Sequence, residues 1–381
     1  MAKFSSRERV LAALRHEEPD RVPIDFGGTT ASSIVVSAYE KLKQFLGLKH
    51  ETRFRAARAQ TVLPDDSILD HFHIDTQAMV LGDFSSRSAR EIGPDAFVDA
   101  WGTTWKKAPD GHFINVDGPF QKIEPSIDAL EAHGWPSPKD PDLYLGLSER
   151  AEFLRNTTDR ALILNLPLGI IHQCQFLRGF SEWLVDLVLN PEFAKHMMDI
   201  VCDIWIRIVE NALDAVGSKV DIVEWGDDVA IQDSLMFSPD MYRKQIKPYH
   251  YRMVRAIKSR TDAKVLYHSC GAVFPLIDDF IEIGVDALNP IQVSARGMDP
   301  QVLKEKFGDR ITFWGGIDTH HLLPNGSPQD VREEVQRIVR VLGRGGGYVL
   351  ASVHNIQDDV PPENVVEMLQ AAAKARCGKM S

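Results

Sequence analysis

A histidine and a cysteine stand two positions apart at the end of an apolar run, Val265–Gly271. Because side chains alternate along a β-strand, positions i and i+2 share a face, so His268 and Cys270 are expected to face one point. Imidazole nitrogen and thiolate sulfur are ligands that suit a soft tetrahedral metal such as zinc. Two ligands do not complete a site, so the pattern predicts that further residues converge there.

Polar side chains also end or follow four other short apolar runs. They are Glu224 with Asp227 and Asp228, Asn289 with Gln292, Asp318, and His354 with Asn355 and Gln357. The carboxyl ends of the strands of a β/α barrel form one rim, where the chemistry lies, so these residues are expected to meet His268 and Cys270. Each has a structural alternative: a lone histidine or cysteine after a strand is more often structural, and Asp227 and Asp228 could be turn or capping residues.

Composition narrows the class of protein. The chain has 381 residues, 44% hydrophobic and 25% charged, with a formal net charge of −11. This balance is typical of a soluble globular protein and disfavours nucleic acid or an anionic membrane as the main partner. No apolar run approaches the roughly 20 residues of a membrane span.

Four scattered cysteines, Cys174, Cys202, Cys270 and Cys377, form no disulfide framework. A reducing cytoplasm is therefore expected. Cys174, Cys202 and Cys377 are interpreted as inert thiols.

Repeated strand–helix units predict the fold. Helices are expected at Ser37–Leu46, Pro191–Ala215, Pro239–Lys258, Val273–Ile283, Pro300–Phe307, Pro328–Leu342 and Glu363–Ala375. Strands are expected at Arg21–Phe26, Thr76–Leu81, Phe97–Lys107, Phe113–Asp117, Ala161–Leu166, Asp221–Trp225, Lys264–His268, Ala287–Asn289, Ile311–Trp314 and Tyr348–Ala351. Such alternation favours a parallel sheet, and we predict an α/β fold, a (β/α)8 TIM barrel over residues 61–381 with an N-terminal helical extension over residues 1–60.

Several motifs resemble the uroporphyrinogen decarboxylase superfamily. They are Ser6–Val10 with Glu18–Pro23, Ser238–Tyr242, Gly284–Asp286 and Pro361–Asn364. The resemblance extends over nearly the whole chain and implies a TIM barrel. It also implies one of two functional branches: uroporphyrinogen decarboxylases, or zinc-dependent corrinoid methyltransferases such as the methylcobalamin:coenzyme M methyltransferases and O-demethylating relatives.

Two features favour the methyltransferase branch. The decarboxylases carry an arginine-containing segment that contacts substrate carboxylates, whereas Asp25–Thr30 stands at that position here without an arginine. A substrate with eight carboxylates needs cationic contacts. The methyltransferases carry a His-x-Cys at a strand end, matched by His268 and Cys270, and a second cysteine before the Pro-x-Glu-Asn motif, where this chain has His354.

The resemblance thus predicts zinc held by His268, Cys270 and His354, although the decarboxylases also have a histidine near His354 that binds substrate. Glu224, Asp227 and Asp228 are the predicted catalytic residues, with Glu224 as fourth ligand or proton donor. Asn289, Gln292 and Asp318 are predicted to bind substrate.

The predicted reaction moves a methyl group between a small methylated substrate or thiol and a corrinoid. Asp318-Thr319-His320 begins like a cobalamin-binding motif, but Leu323 replaces its last glycine, so the corrinoid is expected on a separate partner protein. A homodimer is also possible, as in decarboxylase relatives. Two alternatives are a metal-free decarboxylase, in which Asp227 or Asp228 stabilises a protonated pyrrole, and a non-catalytic zinc or corrinoid carrier.

Overall fold

The computed structural model describes residues 4–49, 51–56, 59–85, 90–109, 111–167 and 169–375. The strands are β1 (Arg53–Ala56), β2 (Thr61–Leu63), β3 (Thr76–Val80), β4 (Arg90–Gly93), β5 (Ala96–Val98), β6 (Thr104–Lys107), β7 (Phe113–Asp117), β8 (Ala161–Asn165), β9 (Ile222–Gly226), β10 (Lys264–His268), β11 (Ala287–Ile291), β12 (Thr312–Ile317) and β13 (Tyr348–Ser352). Cys377 lies outside the described residues, whereas Cys174 and Cys202 are buried free thiols.

The α-helices alternate with the later strands. They are α1 (Ser6–Leu14), α2 (Val36–Leu46), α3 (Asp66–His71), α4 (Ile127–Ala132), α5 (Leu147–Thr157), α6 (Ile170–Arg178), α7 (Phe180–Leu189), α8 (Pro191–Val216), α9 (Pro239–Met241), α10 (Lys247–Lys258), α11 (Ile277–Glu282), α12 (Pro300–Phe307), α13 (Leu322–Asn325), α14 (Pro328–Leu342) and α15 (Pro362–Lys374). The helix predicted over 239–258 is interrupted by a π-helical turn, Tyr242–Ile246. The helix predicted over 273–283 begins with a 3₁₀ turn, Phe274–Leu276.

The central sheet has seven parallel strands in the order β13-β12-β11-β10-β9-β8-β3. Each was predicted from the sequence to within a few residues, since a short apolar run bounded by turn residues is typical of a buried parallel strand. All five residues of β8, β9, β11 and β13 are buried, which shows that helices and the barrel interior cover both faces.

The segment around Ile24 joins the two edges of this sheet. Asp25 N–H donates to Leu350 O on β13, and Leu350 N–H donates to Pro23 O, both at 2.9 Å. On the other side, Asp75 N–H donates to Ile24 O at 2.9 Å, immediately before β3. The predicted strand at 21–26 is an isolated bridge, shorter than expected, but it connects both edges of a curled parallel sheet, and this arrangement fits a TIM-like barrel.

Helix α1 packs into the amino-terminal end of the barrel. Ser5 caps it, accepting from Glu8 N–H while the Glu8 carboxylate accepts from Ser5 N–H. Val10, Ala13 and Leu14 are buried in one cluster with inward side chains of the strands. Helix α1 and the segment around Ile24 therefore contribute directly to the barrel, and the division at residue 60 stays a prediction.

The segment between β3 and β8 carries the predicted hairpins as an antiparallel sheet, β4-β5-β6-β7. The single strand predicted over 97–107 is in fact two, β5 and β6, because a turn intervenes. Asp99 holds that turn: its Oδ1 accepts the N–H groups of Trp101 and Thr103, at 2.9 and 3.0 Å. A side chain that bonds nearby backbone N–H groups favours a turn over a continuous strand.

Candidate metal centre

One layer of polar side chains continues the inward face of the barrel. Ile163, Ile222, Leu266 and Ala287 belong to the buried interior cluster. Two positions further along the same strands stand Asn165, Glu224, His268 and Asn289, all buried. Alternation along a strand therefore points these four side chains into the mouth of the barrel, at the carboxyl ends of the strands.

His268 and Cys270 lie side by side at the end of β10. His268 Nε2 is 3.5 Å from Cys270 Sγ. On the other side of the ring, Nδ1 is 2.8 Å from Asn289 Oδ1 on the neighbouring strand β11, where His268 and Asn289 are register partners. A neutral imidazole that donates Nδ1–H to an amide oxygen keeps the lone pair of Nε2 free. The nitrogen facing Cys270 is thus the one available to a metal.

Asp228 brings a third donor atom to this point. Its Oδ1 accepts Cys270 N–H at 2.7 Å and lies 3.7 Å from His268 Nε2. In the described part of the chain, Asp228, His268 and Cys270 form the group whose possible ligand atoms all lie within 4.8 Å of one another.

The spacing of these atoms can be compared with a zinc site. Zinc bonds of about 2.0–2.3 Å at tetrahedral angles separate a nitrogen from a sulfur ligand by about 3.6 Å. The 3.5 Å between His268 Nε2 and Cys270 Sγ matches this value. Burial, followed by the negative charge of Asp228, raises the pKa of the Cys270 thiol well above its ordinary value. A divalent cation is the agent that would make it a thiolate, so the donor set fits zinc.

His354, the third ligand predicted from the sequence, lies beside this group. The centroid of its ring is 6.4 Å from that of His268. The side chain is exposed at the mouth of the barrel, and neighbouring protein atoms still exclude part of the water around its ring. Loss of water around the ring, followed by the proximity of His268, lowers the pKa of His354 to about 4, so the imidazole is neutral at pH 7. Its role as a ligand stays a prediction.

The adjacent carboxylates Asp227 and Asp228 have different backbone partners. Asp227 is fully buried and accepts the N–H groups of Ile170, Ile171 and His172, at 2.8, 3.1 and 3.0 Å, at the start of α6. It therefore caps a helix, the structural alternative noted above, and favourably opposes the helix dipole. Burial alone would raise the pKa of Asp227, but the hydrogen bond with His172 and the proximity of His250 lower it to about 2. A catalytic role for Asp227 stays a prediction.

His172 is a site residue that sequence reasoning missed. Its Nδ1 lies 3.1 Å from Asp227 Oδ1 and its Nε2 lies 3.4 Å from Asp228 Oδ2. Although burial would lower the pKa of His172, these two carboxylates raise it to about 10. The imidazolium thus connects the two aspartates, one of which, Asp228, belongs to the candidate metal-binding group.

Glu224 belongs to a second polar cluster in the same layer. Its carboxylate accepts from the backbone N–H and hydroxyl of Thr30 and from the Asn165 amide. Arg55 joins this cluster, donating Nη1–H to Asn165 Oδ1 at 2.8 Å and Nη2–H to Gly27 O. Burial raises the pKa of Glu224, and the charge of Arg55 opposes that shift. The sequence did not indicate Asn165 or Arg55. By bonding Gly27, Arg55 brings a cation to the segment Asp25–Thr30, which has no lysine or arginine of its own.

Gln292 and Asp318 are the other predicted substrate contacts. Both side chains accept hydrogen bonds from backbone N–H groups of loops. Gln292 Oε1 accepts Gly271 N–H at 2.7 Å, which fixes the turn after Cys270. Asp318 accepts the N–H groups of His320 and His321, at 2.9 and 3.1 Å. Their binding roles stay predictions.

Comparison with known proteins identifies the family. The model of the uroporphyrinogen decarboxylase (URO-D) family matches residues 171–375, which is more than half of the chain. The protein therefore belongs to the URO-D family, an enzyme family.

Curated relatives carry the name of that family. Uroporphyrinogen decarboxylase of Hydrogenovibrio crunogenus is 24% identical over 190 residues, 49% of each chain. That of Legionella pneumophila strain Lens is 21% identical over 272 residues, 68% of this chain and 72% of the relative. The chain spans about half the length of the first of these relatives.

A solved methyltransferase from Methanosarcina mazei shares the fold. It is 18% identical, with a TM-score of 0.67, over 97% of this chain and 98% of the other. At that identity the likeness supports the fold alone. In the described part of the chain, no helix is long and apolar enough to cross a membrane.

Proposed function

We propose that this protein is a zinc-dependent methyltransferase that moves a methyl group between a small methylated substrate or thiol and a corrinoid carried by a partner protein. The observation that carries the proposal is the orientation of His268: Asn289 holds Nδ1, and Nε2 faces Cys270 Sγ and Asp228 Oδ1. A histidine oriented by an amide or carboxylate behind it is typical of metal sites. URO-D membership is consistent with this reaction and does not distinguish it from decarboxylation.

In this proposal His268, Cys270 and Asp228 hold the zinc. Bound zinc would act as a Lewis acid that lowers the pKa of a thiol substrate or polarises the atom left behind by the methyl group. Three protein ligands would leave one position open, as catalytic zinc sites require. His354, which lies beside this group and is neutral at pH 7, would contact the molecule in that position or occupy the position itself as a ligand.

Asn289 is the residue best suited to hold the substrate near the metal. Its Nδ2 atom is buried and, in the described part of the chain, has no hydrogen-bond partner. An unpaired buried donor is costly, so an acceptor atom of the substrate would relieve that cost on binding. The substrate is accordingly expected to carry a hydrogen-bond acceptor close to the reacting atom.

A second candidate is decarboxylation of a uroporphyrinogen-like substrate without metal. Two observations favour it: the curated relatives are named uroporphyrinogen decarboxylase, and Arg55 supplies a cation at the barrel mouth. Arg55 already lies among the carboxylates of Glu224 and Asp25, however, so it offers little excess charge to an anionic substrate.

The two candidates are separated by assays on one preparation. Protein loaded with zinc is incubated with methylcobalamin and small thiols, and methyl transfer is followed by the loss of methylcobalamin absorbance. The same protein, with and without a chelator, is incubated with uroporphyrinogen. Methyl transfer that chelation abolishes and zinc restores supports the proposal. Decarboxylation that survives chelation, without methyl transfer, would replace it with the second candidate.

A further inference from the structure

We propose that His172 is a positioning residue: by contacting both Asp227 and Asp228, it fixes the Asp228 carboxylate in the direction of His268 and Cys270. The inference rests on the proposed metal centre and deepens it, because it assigns a role to a residue outside the predicted ligands. His172 lies within ion-pair distance of Asp227 and Asp228, so its effect on the metal centre would pass through Asp228.

The two oxygens of Asp228 have different partners. Oδ1 faces His268 and Cys270, since it accepts Cys270 N–H at 2.7 Å and lies 3.7 Å from His268 Nε2. Oδ2 lies 3.4 Å from His172 Nε2. His172 therefore restrains rotation of the carboxylate through the oxygen that does not face His268 and Cys270.

His172 can act as a fixed support because α6 is held tightly against the end of β9. Asp227 bonds three backbone N–H groups of the first turn, including that of His172 itself. At Gly169, just before the helix, an added Cβ would lie 2.3 Å from Gly226 O and 2.4 Å from Asp227 Oδ2. The helix start thus lies in direct backbone contact with the end of β9, which the two aspartates follow.

Buried aromatic residues outside the metal-binding group also contact Asp227. His250, fully buried on α10, has Nε2 3.3 Å from Asp227 Oδ2. Its Nδ1 lies 3.2 Å from the hydroxyls of both Tyr242 and Tyr267, and the Tyr267 hydroxyl donates to Asp227 O at 3.1 Å. The order of contacts is therefore His250, Asp227, His172, Asp228 and then the other two proposed ligands, His268 and Cys270. Groups that orient a ligand in this way typically change metal affinity when removed.

The test measures affinity for Zn²⁺ by competition with a chromophoric chelator, and the absorption spectrum of the protein loaded with Co²⁺. The variants are H172A, H172Q, D228N and the double variant H172A/D228N. H133Q is the matched control, because His133 is a half-buried histidine bonded to Trp101 O in a different part of the molecule.

We expect H172A to weaken Zn²⁺ binding roughly 10- to 100-fold and to alter the Co²⁺ spectrum. H172Q, which keeps a side-chain N–H, should recover part of the affinity. If His172 acts through Asp228, the double variant binds Zn²⁺ no more weakly than D228N alone. A purely structural role would lower the thermal stability of H172A without this non-additivity.

The outcomes separate the two proposals. Failure of the wild-type protein to bind either metal overturns the metal centre, and the role of His172 with it. Wild-type affinity in folded H172A, or losses that add fully in the double variant, overturns only the positioning role. If H172A does not fold, the same comparison is made with H172Q and H172Q/D228N.

Discussion

The Nδ1 atom of His268 lies 2.8 Å from Oδ1 of Asn289, and the two residues are register partners on adjacent parallel strands. Backbone pairing therefore fixes the distance between a candidate ligand and the group that orients it. Because both residues belong to the sheet, their relative position does not depend on a mobile loop, a property expected of a preorganised site.

This relationship makes Asn289 a residue to test directly. Asn289→Leu, which keeps the approximate volume but removes the acceptor, should weaken Zn²⁺ binding roughly tenfold or more, because Nδ1 of His268 loses its partner. Asn289→Asp keeps an acceptor at the same atom and serves as the matched control, with affinity near the wild-type value. Both are measured by chelator competition, and equal affinities for the two variants would contradict the orienting role.

His354→Gln separates a ligand from a substrate contact. If His354 only contacts the occupant of the open position, the variant keeps about one zinc per chain and loses most of its methyl-transfer rate. Zinc content is measured by mass spectrometry and activity with methylcobalamin. His321→Gln, a change of an exposed histidine on the rim, is the control. Loss of the zinc itself would instead identify His354 as a ligand.

Gly169→Ala tests the close approach of α6 to β9. The new Cβ would lie 2.3 Å from Gly226 O, a backbone atom that cannot move aside easily. We expect a loss of roughly 1–3 kcal/mol or more in the free energy of unfolding, measured with urea. Gly134→Ala is the control, because nothing lies within 4 Å of its added Cβ. Equal stability of the two variants would show that the approach is looser than described.

Stability at low pH should depend on Asp279, a buried carboxylate. Arg243 Nη2 lies 3.0 Å from its Oδ2 and Lys247 Nζ lies 2.8 Å from its Oδ1. Burial alone would raise the pKa of Asp279, but these two cations lower it below its ordinary value of 3.8. The contribution to stability is therefore fully present above that value and is lost as the pH falls through the lower pKa of the folded state.

Asp279→Asn is accordingly expected to cost roughly 1.5–3 kcal/mol in the free energy of unfolding at pH 7. The difference from wild type should shrink in urea titrations below about pH 3. Asp240→Asn is the control, since its carboxylate is exposed and lies 3.8 Å from Arg243. A difference that stays constant down to pH 2 would contradict the lowered pKa.

Much of the strand framework could be predicted from the sequence. Short apolar runs marked the seven strands of the central sheet, and alternation along β10 predicted that His268 and Cys270 lie together. The same rule, applied to β8, would have found Asn165, two positions after the inward Ile163. These predictions succeed because they depend on local periodicity.

The other site residues depend on contacts between distant segments. His172 lies in the first turn of a helix, where no strand-end pattern marks it, and it reaches the site because Asp227 caps that helix. Arg55 reaches the site from the hairpin of β1 and β2, and it bonds Asn165 although 110 positions of sequence separate the two residues. Adjacent Asp227 and Asp228 looked equivalent in sequence, but one is directed into α6 and the other towards Cys270.

The most direct test of the metal centre is the zinc content of untagged protein, purified without chelator and measured by mass spectrometry beside two cysteine variants. Cys270→Ala removes the candidate ligand, whereas Cys202→Ala removes a buried thiol on α8 as a matched control. The proposed centre predicts about one zinc per chain in the wild type and in Cys202→Ala, and almost none in Cys270→Ala. Zinc retained at the wild-type level in folded Cys270→Ala, or absent from all three proteins even after incubation with Zn²⁺, would contradict it.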